Sequence, residues 1–226
     1  MKTLARCFLF ASLAAPLCLP VASFAEEAAE RHAVFDLHAN RSLAHLEQRG
    51  GLVIAAGAPG FVRYTHFGRP SPTWRPRVAV DGIKTALALP AAKLSLPLTA
   101  GQAAAQGGEH SIYLRLKAQA PSSVKISANG KGASAAVALK PGWQVVEVKL
   151  PGGALHAGEN ALSLTFAQVG NWMVPGSPAP VRAAAAVDWL QVGGSAPPAD
   201  YALPKLSDGD KLQIPSGGAL YYYLAL

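Results

Sequence analysis

From residue 110 to residue 192 apolar and polar side chains alternate in short runs, the period of two that puts neighbours on opposite faces of a strand. Residues 112–118 show it first, with Ile112, Leu114 and Leu116 separated by Tyr113, Arg115 and Lys117. Residues 123–128 repeat it and run into Asn129-Gly130, a hairpin signal because both central positions of such a turn want positive φ. Residues 137–139 lead to a second turn at Pro141-Gly142. Residues 143–150 then form a strand with Val146, Val148 and Leu150 on one face and Glu147 and Lys149 on the other. Gly158-Glu159-Asn160 turns the chain into 161–166, and residues 186–192 are apolar on both faces, as a central strand must be. Short alternating strands divided by turn signals predict an all-β antiparallel sandwich.

The flanks are less regular. Residues 40–50 read as a short helix capped by Asn40 and ended by Gly50, against a competing reading as a strand entering a glycine turn. Residues 52–56 fit a buried strand, and residues 61–67, β-formers throughout, fit another. Residues 68–77 carry three prolines and predict an ordered surface loop presenting Arg69, Trp74, Arg75 and Arg77. Residues 86–108 are low in complexity and give no element. Two glycines and two prolines in 193–199 predict a linker, and 211–214 and 220–226 read as strands of an incomplete second β unit. The expected organisation is therefore 1–25, 26–192, 193–199 and 200–226.

The first segment is a leader. Lys2 and Arg6 precede an apolar run from Cys7 to Leu19, and Ser23-Phe24-Ala25 supplies the small-residue exit before Glu26, the order of a cleavable secretory signal. The run is too short, and too interrupted by Pro16 and Pro20, for a membrane span. Both cysteines of the chain, Cys7 and Cys18, lie within it, so the mature remainder has neither disulfides nor cysteine-ligated metal and must stand on its core. The expected location is periplasmic, cell-surface or extracellular. The formal net charge is +7, and basic residues remain in excess once Lys2 and Arg6 leave. Such a surface attracts polyanions such as sulfated or uronic polysaccharide. Nucleic acid is not expected, because no basic run with interleaved aromatics occurs.

Two resemblances follow from particular residues. Lys140 to Val148, the Gly158-Glu159-Asn160 turn before 161–164, and Ala186 to Leu190 with its Asp188 together resemble a galactose-binding-domain-like jelly roll, in which a Gly-x-Asn turn precedes the penultimate strand and an aspartate sits in the closing one. Asn40 to His45, Gly50 to Leu52, Ala56 to Phe61 and Tyr64 to Gly68 are similar to the N-terminal, non-catalytic region of exported bacterial sulfatase-family proteins. The sulfatase nucleophile motif itself has no match: Ser71-Pro72-Thr73-Trp74-Arg75 does not fit it.

Candidate chemistry is sparse. The six histidines are scattered, with only His38 and His45 placed to share a helix face and no third ligand in view, so no metal or other cofactor is expected. No nucleophile elbow or phosphate loop occurs. Asp188, in an apolar strand, needs a partner and reads as an Arg-paired or hydrogen-bonded core aspartate, with a structural calcium ligand as the alternative. Trp74 and Trp172 fall in predicted loops and, with Arg69 and Arg75, make the expected ligand-binding set, since flat rings stack on pyranose faces and charged groups read hydroxyls. Trp143 and Trp189 lie in strands and read as packing residues. The expectation is a non-catalytic accessory module binding carbohydrate, with a docking domain against a sulfatase-type or other catalytic partner as the alternative.

Overall fold

The computed structural model describes residues 36–37, 39–40, 43–66, 71–198, 200–204, 207–208 and 211–222; the predicted leader and Arg69 lie outside them. The strands are β1 (His45–Gln48), β2 (Gly51–Ala55), β3 (Trp74–Val80), β4 (Ile83–Ala88), β5 (Ala91–Leu98), β6 (Glu109–Ala118), β7 (Ser122–Ala128), β8 (Gly132–Ala133), β9 (Val137–Leu139), β10 (Gly142–Pro151), β11 (Gly158–Phe166), β12 (Gly170–Trp172), β13 (Val181–Ala183), β14 (Ala185–Val192), β15 (Ser207–Asp208), β16 (Lys211–Leu212) and β17 (Gly218–Tyr221). One helix, α1 (Val62–His66), follows a 3₁₀ turn at Pro59–Phe61.

The larger sheet runs β10-β6-β14-β2-β1-β17, with β4 also on β14 and β3 on β4; the smaller runs β5-β11-β7-β8, with β9 on β7. All these pairings are antiparallel. The chain changes sheet from β4 to β5, β6 and β7, and again from β9 to β10 and β11, so each sheet buries one face against the other. This is the expected antiparallel jelly-roll sandwich. Between the sheets lie Ile112, Leu114 and Leu116 of β6, Val148 and Leu150 of β10, Leu162 and Leu164 of β11 and Leu94 and Leu96 of β5. Every residue of β14 is buried, because β12, β13 and β3 cover its outer face with a second apolar cluster of Val78, Val80, Leu87, Trp172, Ala183 and Ala186.

Turn chemistry explains the register. Asn129 and Gly130 have φ of 52° and 67°, and Lys131 N–H closes the turn on Ala128 at 3.0 Å. Asn160 is fully buried at the start of β11, where its amide donates to the carbonyls of His156 (2.7 Å) and Gly158 (2.8 Å). Its Oδ1 accepts from His156 N–H (3.0 Å) and Asn129 Nδ2 (2.9 Å). Gly158-Glu159-Asn160 is therefore not the expected turn but the opening of β11, which Asn160 ties to the β7–β8 turn.

Several expectations are corrected. Residues 45–50 do not take the helix expected over 40–50: His45–Gln48 is β1, and Arg49 and Gly50, at φ 54° and 76°, make a tight turn into β2, the strand-into-glycine-turn alternative. Residues 61–66 do not take the expected strand; Pro59 opens a helical turn, and Phe61 and Tyr64, three apart, share its buried side, so tertiary packing overrides β propensity. Residues 74–77 are not loop but the first half of β3, whose register shifts between Arg75 and Val78 at Pro76 and Arg77. A bulge is where a sheet tolerates proline. The low-complexity stretch holds β5, whose Ala92, Leu94, Leu96 and Leu98 alternate inward.

Described residues of the tail contact the large sheet. β17 pairs with β1 through His45↔Tyr221 and Leu46↔Leu220, and the Tyr201 ring meets Trp189 of β14 edge-on at 5.2 Å. The tail stays on the sheet because it covers an indole that would otherwise be wet.

Candidate functional site

Of the four expected ligand residues Trp74, Arg75 and Trp172 are described, and they do not form a shared surface. Trp74 and Trp172 are both about 97–99 % buried, in strands rather than loops. Trp74 donates to the Lys93 carbonyl at 2.8 Å and packs edge-on against Phe61 at 5.0 Å. Trp172 donates to the Ala183 carbonyl at 3.0 Å. Their rings present no face for a sugar, and that expectation is corrected. Arg75 is exposed on β3, and Arg69 lies outside the described residues.

On the outer face of the large sheet, Asp188 sits at the irregularity between Val187 and Trp189 and pairs with Arg115. Burial pushes its carboxyl up, and Arg115 draws it back down. The Arg115 guanidinium lies 5.2 Å over the Trp143 ring, whose Nε1 donates to Asp81 Oδ2 at 2.9 Å; Lys117 reaches the same oxygen at 2.6 Å. Each charge here is answered by a neighbour, which marks the cluster as a brace between β6, β10 and β14.

A cavity of about 500 Å³ opens where β1, β2, the helical turn and residues 203–204 meet. Its walls are aliphatic, chiefly Leu46, Val53, Pro59, Leu203 and Pro204, and its polar groups come from Arg63 and Tyr64. Arg63 is the one charged side chain among the described lining residues. The helical turn places both: with Phe61 buried, Arg63 turns to β1, where it donates to the Ala44 carbonyl and, at 2.8 Å, to the Tyr64 hydroxyl. The hydroxyl stands 2.8 Å from His45 Nδ1, behind the wall. Arg63 can only donate to the Tyr64 hydroxyl, while the direction of the Tyr64–His45 hydrogen bond follows the tautomer of the ring. Burial first, and the Arg63 charge second, pull the His45 pKa down to about 4, so the imidazole is neutral at physiological pH.

The sequence carried little sign of this site. His45 stands out in the sequence only beside His38, and its separation of 19 positions from Tyr64 hides their contact; the signal the sequence offers is a polar residue in each of two apolar runs, at 45 and 63. Among the described residues no group of three or more His, Cys, Asp or Glu is placed to hold a metal ion.

No protein-family model and no curated protein matches the chain. Among solved structures it is similar to a carbohydrate-binding module from Cellvibrio mixtus lichenase 5A in complex with cellotriose, at 12 % identity and TM-score 0.37, over 64 % of this chain and 97 % of that one. It is also similar to the Podospora anserina GH26-CBM35 β-(1,4)-mannanase, at 15 % identity and TM-score 0.36, over 70 % of this chain and 31 % of the mannanase. A third is an exo-β-1,3-galactanase from Phanerochaete chrysosporium with galactose, at 16 % identity and TM-score 0.31, over 66 % of this chain and 29 % of that one.

Proposed function

We propose that the chain is an exported, non-catalytic accessory module that binds carbohydrate, with a preference for acidic glycans, in the cavity between β1, β2 and the helical turn. The observation that carries this is the pairing of one cation, Arg63, with the Tyr64 hydroxyl in a cavity of about 500 Å³. Small-molecule sites span roughly 300–1,000 Å³ and combine apolar walls with a few placed polar groups. A uronic ring would set its C–H surface on the aliphatic wall and its carboxylate toward Arg63, and Arg75 and Arg69 would add long-range attraction. No carboxylate is found among the described lining residues, so the paired acids of glycosidic hydrolysis are not provided there.

The test is an affinity gel or glycan array of uronic, sulfated and neutral polysaccharides. Retention of an acidic polymer, reduced about tenfold or more by Arg63→Ala, is expected; uniform absence of retention overturns the reading. A docking role has one observation in its favour: Leu37 and Leu43, each about half exposed, lie in the chain on either side of the cavity residue Ala39. Loss of a co-purifying catalytic partner, such as a sulfatase-type domain, in Leu37→Ser or Leu43→Ser would favour it. Export is tested by intact mass, with Glu26 as the expected mature N-terminus.

A further inference from the structure

The segment leaving β14 crosses back over the sheet and ends as a wall of the cavity, through Leu203 and Pro204. Its start is a crossing too close for any side chain. A Cβ on Gly193 would stand 2.3 Å from the Gln102 carbonyl oxygen and one on Gly194 2.4 Å from that of Arg49, and both glycines have φ of 72°. Beyond them, the following interactions hold the segment down among the described residues. Gln191 Nε2 donates to the carbonyls of Gly193 and Ser195, both at 2.9 Å, and Ser195 N–H donates to the Arg49 carbonyl at 3.0 Å. The Arg49 guanidinium donates to Gln191 Oε1 at 2.6 Å and lies 4.1 Å over the Tyr201 ring. Tyr201 in turn donates to Gln48 Oε1 at 2.6 Å and covers Trp189.

The closure is imperfect in a specific way. Trp189 Nε1 and Arg49 Nε are buried in this arrangement with no hydrogen-bond partner. A buried donor without an acceptor is costly, and lifting the segment returns such donors to water. The contact is therefore a balance of ring packing and a few polar bonds against two unsatisfied N–H groups, which is how a locally opening element differs from a core strand.

We propose that residues 195–198 and 200–204 belong to a strap, hinged at Gly193-Gly194 and latched by Arg49, Gln191 and Tyr201, that closes the cavity and gates the passage of ligand. This rests on the cavity being the ligand site. Seated, the strap supplies Leu203 and Pro204 to the wall; lifted, it leaves that side open.

Hydrogen exchange on the full chain tests the strap without any ligand. The amides of Ser195 and Tyr201, bonded to the carbonyls of Arg49 and Pro198, should exchange at least tenfold faster than those of central β14, and Tyr201→Ala should accelerate them at least a further tenfold while β14 stays protected. Gln48→Ala, which removes only the acceptor of the Tyr201 hydroxyl, should act in the same direction and serves if Tyr201→Ala does not fold. Stopped-flow binding of anilinonaphthalene sulfonate, an apolar anion suited to aliphatic walls and one arginine, reads the gate: both association and dissociation should quicken severalfold in the latch variants. Strap amides that exchange only with global unfolding, or variants that leave exchange unchanged, overturn the proposal. Exchange as expected with no dye bound to either protein would leave the strap standing and count against the cavity as the ligand site.

Discussion

Asn160 has a full set of partners in a position closed to water, so its loss strands several groups at once. Asn160→Ala leaves the amides and carbonyls of the 156–158 turn and the Asn129 side chain without acceptors or donors they cannot replace. At about 1–3 kcal/mol for a buried group left unsatisfied, a stability loss of roughly 3 kcal/mol is expected in urea unfolding. The exposed neighbour Glu159, changed to Ala, should cost under about 0.5 kcal/mol. His45 makes a pH prediction. Its folded pKa of about 4 lies below the ordinary 6.5, so between these values the unfolded chain takes up a proton that the folded one refuses. Stability is therefore complete above about pH 6.5, falls as pH drops toward 4 and levels below it, by up to about 3 kcal/mol. Burial lowers the pKa of His110 as well, which adds to the loss in the same direction. Urea midpoints at pH 7.5 and 4.5 measure the slope, and His45→Gln should flatten most of it.

At the scale of elements, the bulge in β3 and the returning tail each carry a consequence. Arg77 holds φ 61°, where a side chain is strained and glycine is not. Arg77→Gly should therefore be neutral or stabilising by up to about 1 kcal/mol, the relief offsetting glycine's extra freedom in the unfolded chain. A lower thermal midpoint would mean that the Arg77 side chain makes a contact worth more than the strain. Truncation after Val192 removes β17 from β1 and Tyr201 from Trp189. Were 200–226 an independent unit, the remaining sandwich would unfold as before. Because the tail packs on the sheet, the truncated chain is expected to unfold at lower urea and to show red-shifted tryptophan emission from a wetted Trp189.

The whole molecule is a basic surface built around a jelly-roll core, and the two halves of its proposed recognition respond differently to salt. Attraction of an acidic glycan by outlying arginines is long-ranged and is screened within about 10 Å at 0.1 M salt, whereas contacts inside the cavity are not. Arg75→Ala should therefore weaken retention chiefly at low salt, and Arg63→Ala at every salt concentration tested. Equal salt dependence for the two variants would place Arg63 on the open surface and not at a ligand.

The alternation in residues 110–192 determined most of this fold by itself, because a strand with one buried face needs apolar residues at every second position. The inward faces of β10 and β11 and the central place of β14 are legible for that reason, and the Asn129-Gly130 turn from its own residues; the turn expected at Pro141-Gly142 is instead the entry to β10, which starts at Gly142. The alternation of β5 is present too, in Ala92, Leu94, Leu96 and Leu98, but its small and proline-bearing neighbours resemble linker and mask it. Only tertiary structure decided the rest. Whether residues 61–66 coil or extend depends on the pocket that receives Phe61 and Tyr64, and whether Trp74 and Trp172 face water depends on strands distant in sequence. The cavity follows the same rule: Leu46, Val53, Arg63 and Tyr64 meet through the β1–β2 pairing and the helical turn, and Leu203 joins them from more than 130 residues further along the chain, a distance over which local pattern carries no information.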